Sequence, residues 1–219
     1  MCICLLCSSG TTDGQSIVEA FANVPRIETS SGRGTGFVVD ARKGKIEVWT
    51  NGHVCPRKGE TVTLRFLAGT PKEFTESGTV AWTVFKDGRD SAKIIAESDR
   101  EFEPLRISMA NSRSSMVATA GFPLGQRGYA ILVNAFPTHD FQSVKAYKPS
   151  SIPGQSGSPI VNEAGEVTHV VTLRAKVLRE FVGGALPISD WTHPDLQTVG
   201  RNGPEPFGPF SPLYNPDGF

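Results

Sequence analysis

Short runs of β-branched and aromatic residues, broken at near-regular intervals by turn formers, dominate this sequence from Gly36 onward. Gly36-Phe37-Val38-Val39, Ile46-Glu47-Val48-Trp49-Thr50, Thr61-Val62-Thr63-Leu64-Arg65-Phe66 and Gly78-Thr79-Val80-Ala81-Trp82-Thr83-Val84-Phe85 alternate with Gly44, Asn51-Gly52, Lys58-Gly59, Gly69 and Asp87-Gly88. Such side chains suit a pleated, half-buried surface, and glycine-containing pairs close the turns between strands. A second series follows in Met116–Gly121, Tyr129–Val133, Pro159–Val161, Val167–Leu173 and Phe181–Ile188. The pattern predicts about a dozen short antiparallel strands and few helices.

The two series are separated by Glu97-Ser98-Asp99-Arg100-Glu101-Phe102-Glu103-Pro104, an acidic stretch that reads as an exposed connection. The expected organisation is a flexible tail over 1–15, a first β-barrel over 16–103, a second over 104–190, and a Pro/Gly-rich tail over 191–219. Ser16-Ile17-Val18-Glu19 forms a capping box, which predicts a short N-terminal helix ending near Asn23. The architecture expected is all-β, with two antiparallel barrels packed side by side.

Composition narrows the function. Lys+Arg 22 against Asp+Glu 22 leaves no net charge, and no cluster of cations with interleaved aromatics occurs, so a nucleic-acid partner is not expected. No apolar stretch approaches the ~18–20 residues of a spanning helix, so no membrane span is expected. Cys2, Cys4 and Cys7 crowd the first turn of chain and Cys55 stands apart, so no disulfide framework is written here. That usage points to a reducing compartment such as the cytoplasm, or to a protein indifferent to redox state. The opening lacks a basic n-region, and the Cys2, Cys4, Cys7 spacing is not that of a zinc site, so neither a signal peptide nor a metal or other cofactor is expected.

The chemistry concentrates in Gly154-Gln155-Ser156-Gly157-Ser158-Pro159. A serine between glycines on a tight turn can present its hydroxyl, and the Gly154 and Ser156 amides are the donors that could stabilise a tetrahedral oxyanion. A serine hydroxyl needs a base. Of His53, His139, His169 and His193, only His53 ends a strand where a side chain can enter a cleft; His139 is expected in a loop and His169 within a strand. The imidazole in turn needs a carboxylate to fix its tautomer. Asp90, opening an apolar run, is the choice over Asp87, which sits in an Asp-Gly turn.

The order His53, Asp90, Ser156 resembles the trypsin/chymotrypsin superfamily of serine endopeptidases, and within it the simpler bacterial and viral branches, including HtrA-type catalytic domains. Gly34-Thr35-Gly36-Phe37-Val38-Val39, Thr50-Asn51-Gly52-His53-Val54, Asp90-Ser91-Ala92, Ala120-Gly121-Phe122-Pro123-Leu124-Gly125, Gly154 to Pro159 and Gly183-Gly184-Ala185-Leu186-Pro187-Ile188 carry the similarity over roughly residues 16–190. It implies two six-stranded barrels and a His-Asp-Ser triad cleaving polypeptides through an acyl-enzyme. Asn51-Gly52 before the histidine and Ser91 after the aspartate depart from the family pattern. No PDZ-like segment fits after residue 190, so an oligomeric cage is not expected.

The resemblance also places a substrate pocket, with Ser150 and Ser151 at its base and Thr172, Leu173, Arg174, Gly183 and Gly184 in its walls. Uncharged Ser150 and Ser151 cannot pair with a Lys or Arg side chain, so a small or apolar P1 residue is expected. The competing reading is a two-barrel binding or structural module with little activity, for example in a virion. Loss of a triad member would mark it, and none is lost.

Overall fold

The computed structural model describes residues 21–42, 44–86, 89–108, 118–125, 130–133, 136–141, 144–148, 152–162, 164–177 and 180–188. The capping box at Ser16 and Glu19, the cysteines Cys2, Cys4 and Cys7, and the segment after Trp191 lie outside these residues; Phe21–Asn23 is a single 3-10 turn. The first set of strands comprises β1 (Arg26–Glu28), β2 (Arg33–Thr35), β3 (Phe37–Arg42), β4 (Lys45–Thr50), β5 (Thr61–Phe66), β6 (Phe74–Lys86) and β7 (Arg89–Glu97). The second comprises β8 (Ala118–Gly121), β9 (Ala130–Val133), β10 (Phe136–Phe141), β11 (Val144–Lys148), β12 (Pro159–Val161), β13 (Val167–Val177) and β14 (Glu180–Pro187).

Every strand pairing is antiparallel, in the orders β2-β1-β5-β6-β7-β4-β3 and β10-β11-β14-β13-β12-β8-β9. The edge strands β2 and β3 are separated in sequence by Gly36 alone, so the first sheet curls until its two edges are chain neighbours. The second behaves alike, since its edges β9 and β10 are also consecutive. Among the described residues each sheet holds seven strands, where six were expected. The hairpin β1–β2 has three-residue arms flanked by charge, and β10 carries Pro137, His139 and Asp140, so neither produces an apolar run. His139, expected in a loop, belongs to β10.

Period-2 patterning holds where one face is covered. In β5, Val62, Leu64 and Phe66 are buried while Thr61, Thr63 and Arg65 are not, as successive side chains point to opposite faces. These residues join Ile27, Val38, Ile46, Val48, Val80 and Ile94 in the core of the first sheet. A second cluster draws on both sheets: Phe37 and Trp49 meet edge to face at 6.4 Å and pack with Phe122, Val161, Val167, Val170 and Leu105.

The acidic connection is strapped down rather than loose. Its charges Asp99, Arg100, Glu101 and Glu103 are exposed, but Phe102 meets Phe66 in a tilted ring contact at 5.0 Å and Leu105 donates its amide to Val38 O at 2.9 Å. Fewer residues are therefore free than the charge pattern implied.

Cys55 is buried in the first core, and burial, with a smaller contribution from the Glu60 charge, pushes its thiol from 9.0 up to about 12. Because the folded value lies above the unfolded one, stability is retained below pH 9.0 and falls as pH rises from there towards about 12. Iodoacetamide at pH 8 is expected to leave Cys55 unmodified in the native protein and to alkylate it in urea, as read by mass spectrometry of its peptide. Alkylation of native Cys55 at the unfolded rate would contradict this burial.

Candidate active site

Strand β4 ends at Thr50, opposite Ala92 of β7, and the chain continues through Asn51-Gly52-His53. That antiparallel register carries His53 back alongside Asp90. The ring Nδ1 of His53 lies 2.7 Å from Asp90 Oδ2, and the backbone N–H of His53 donates to Asp90 Oδ1 at 2.9 Å. Asp90 is 4% exposed, whereas His53 keeps one side of its ring open at 19%.

The departure from the family pattern before the histidine has a local cause. Asn51 is fully buried and its Nδ2 donates to the backbone carbonyl of Asp90 at 3.0 Å, so it ties the histidine turn to the aspartate strand. At Gly52 a Cβ would stand 2.0 Å from the carbonyl oxygen of Val84. Only glycine lets β6 approach so closely beneath His53.

Thr172 completes the cradle. The pairing of β13 with β14 slips between Val171 and Leu173, leaving Thr172 as the extra residue of a β-bulge. A bulge re-aims a side chain, and the Thr172 hydroxyl donates to Asp90 Oδ2 at 2.5 Å. Thr172, expected in a pocket wall, is thus buried against the carboxylate and links the second sheet to the first. Sequence reasoning had no means of finding this contact, because nothing in Val170-Val171-Thr172 announces a bulge.

The serine loop is tied to the first sheet by Thr35, which is fully buried. Its amide donates to Ser156 O at 2.9 Å, its hydroxyl donates to Gly154 O at 2.9 Å, and its carbonyl accepts from the Thr50 hydroxyl at 2.7 Å. The loop therefore rests on the same strand end that presents His53. Gly154 and Gly157 take φ values of 94° and 86°, a region that L side chains disfavour. The amides of Gly154 and Ser156 donate to no described residue. Leu124 also donates its amide to Pro153 O at 2.6 Å. Leu124 is 65% exposed and adopts φ 53°, ψ 23°, a left-handed conformation costing a leucine about 1–2 kcal/mol.

Ser150 and Ser151 lie outside the described residues, as do Asp87 and His193. Leu173 and Arg174 of β13 pair with Gly184 and Gly183 of β14, so these four share one ribbon beyond the bulge. His169 is buried in β13 with Nδ1 2.9 Å from Thr168 Oγ1. Among the described residues the exposed large apolar side chains are Phe85, Leu124 and Ile152. All three adjoin the site: the Phe85 ring is 5.8 Å from that of His53, and Ile152 opens the serine loop. No three His, Cys, Asp or Glu residues gather as metal ligands among the described residues, and no described helix is long and apolar enough to cross a membrane.

Residues 34–168 match the family described as the trypsin-like peptidase domain, a stretch that contains both sides of this site. The chain belongs to that family. As a member, the peptidase is a serine endopeptidase with an all-β, chymotrypsin-like fold. Solved structures share the fold. Deg5 superposes with a TM-score of 0.62 at 18% identity, over 80% of the peptidase and 88% of that chain. The serine endoprotease from Yersinia pestis gives 0.63 at 17%, over 84% and 65%. The human pathogenic astrovirus serine protease gives 0.59 at 20%, over 79% and 94%. No curated protein sequence matches the peptidase.

Proposed function

We propose that the peptidase cleaves polypeptides through an acyl-enzyme formed on Ser156. The observation that carries this reading is the doubly held Asp90–His53 pair, with Nδ1 at 2.7 Å and the His53 amide at 2.9 Å. A carboxylate only accepts, so the Nδ1 proton stays between the two residues and leaves Nε2 with its lone pair. His53 then takes the Ser156 hydroxyl proton as the hydroxyl oxygen attacks the peptide carbonyl. The Gly154 and Ser156 amides accommodate the oxyanion, and His53 returns the proton to the leaving amine. Water repeats the sequence on the acyl-enzyme.

Phe85 supports an apolar preference in the substrate. It is 52% exposed, and its ring lies 5.8 Å from that of His53, the proposed base. A small or apolar P1 residue is consistent with this rim. Unpaired Cys55 fits operation in a reducing compartment.

Active-site labelling with a fluorophosphonate tests the reading directly. Stoichiometric modification of Ser156, abolished by Ser156→Ala, is the expected result. Labelling that persists in Ser156→Ala would remove Ser156 as nucleophile, and a folded protein that never labels would favour a binding module.

A further inference from the structure

We infer that Leu124 is a positioning residue whose amide, held in a left-handed turn, aims the Gly154 N–H into the oxyanion site. The inference rests on the assignment of Ser156 as nucleophile and of Gly154 as an oxyanion donor. Within a trans peptide unit the carbonyl and the following N–H point in opposite directions. Whatever holds Pro153 O therefore fixes where the Gly154 N–H points, and the group that holds it is the Leu124 amide at 2.6 Å.

The other planes of the loop are tethered separately. Gly154 O accepts from the Thr35 hydroxyl at 2.9 Å, and Ser156 O accepts from the Thr35 amide at 2.9 Å. Gln155 O accepts from the Ser158 amide at 2.9 Å within the same turn, which fixes the Ser156 N–H locally. The plane bearing the Gly154 N–H is thus the one whose hold comes from the second sheet's opening segment, directly after β8.

The backbone at Leu124 fits this role. Its φ of 53° is one of two positive values at non-glycine positions among the described residues. A 65% exposed side chain gains little from burial there, so packing does not account for the strained conformation. Strained backbone of this kind clusters at functional sites. Extended or right-handed dihedrals at Leu124 would re-set the peptide plane that carries its N–H against the chain that follows, so the contact with Pro153 O depends on the left-handed turn.

The test combines variants with an exchange measurement. A β-branched residue disfavours the left-handed region, so Leu124→Val should lower kcat by about ten- to a hundredfold with KM within about threefold. Leu124→Gly, which takes positive φ without steric cost, should recover most of that kcat. A peptide boronate that mimics the tetrahedral species should lose affinity for Leu124→Val in step with kcat. In the unmodified protein, the Leu124 amide should exchange with deuterium at least about a hundredfold slower than in an open chain, despite its exposed side chain. Native kcat in folded Leu124→Val, or open-chain exchange at Leu124, overturns the tether alone. Absence of fluorophosphonate labelling in the native protein overturns the Ser156 assignment, and this inference with it.

Discussion

Replacing Ser156 with alanine is expected to lower kcat about 10⁶-fold, and His53→Ala by a similar factor, because in the proposed mechanism the two act as one nucleophile. The double variant should be no slower than either single one, since removing the proton acceptor matters only while there is a hydroxyl to deprotonate. KM should move little, because substrate contacts along the cleft remain. Residual hydrolysis about 10³–10⁴-fold above the water reaction is expected from the amides of Gly154 and Ser156. Steady-state kinetics on one peptide substrate, with near-UV circular dichroism to confirm folding, checks this. Additive losses in the double variant would show that Ser156 and His53 do not share a step.

Asp90→Asn is expected to cost about 10⁴-fold in kcat while the fold is retained. The hydrogen bonds around Asp90 dictate how the amide would sit. The backbone N–H of His53, 2.9 Å from Oδ1, can only donate, so the asparagine oxygen must take that position. Its NH2 then faces His53 Nδ1 and the Thr172 hydroxyl, which occupy the Oδ2 side at 2.7 Å and 2.5 Å. The hydroxyl can rotate to accept. The imidazole can accept only by moving its proton to Nε2, which removes the lone pair that the proposed mechanism uses to deprotonate Ser156. Nitrogen-15 spectra of His53 should show that tautomer change, and a variant retaining the Nδ1–H form with normal kcat would refute the role given to Asp90.

The fold class was legible because period-2 burial is written residue by residue: Val62, Leu64 and Phe66 against Thr61, Thr63 and Arg65. The short β1–β2 hairpin was not legible, because three-residue strands carry too little apolar pattern to stand above their charges. His53 and Asp90 were legible for a similar local reason. One follows the end of β4 and the other opens β7, and these strands pair, so the turn and strand signals alone bring the two close. The serine loop announced itself through Gly154 and Gly157, whose positive φ values demand glycine.

What the sequence determined by itself was the strands and turns that carry His53, Asp90 and Ser156, since residue type and alternation are local properties. The tertiary structure alone decided how those groups are held. Thr172 reaches Asp90 through a bulge, Thr35 braces a loop 119 positions away, and Leu124 grips Pro153 from another turn. Each of these contacts joins segments remote in the chain, and a contact between distant segments depends on sheet curvature and backbone dihedrals that no single stretch of residues specifies.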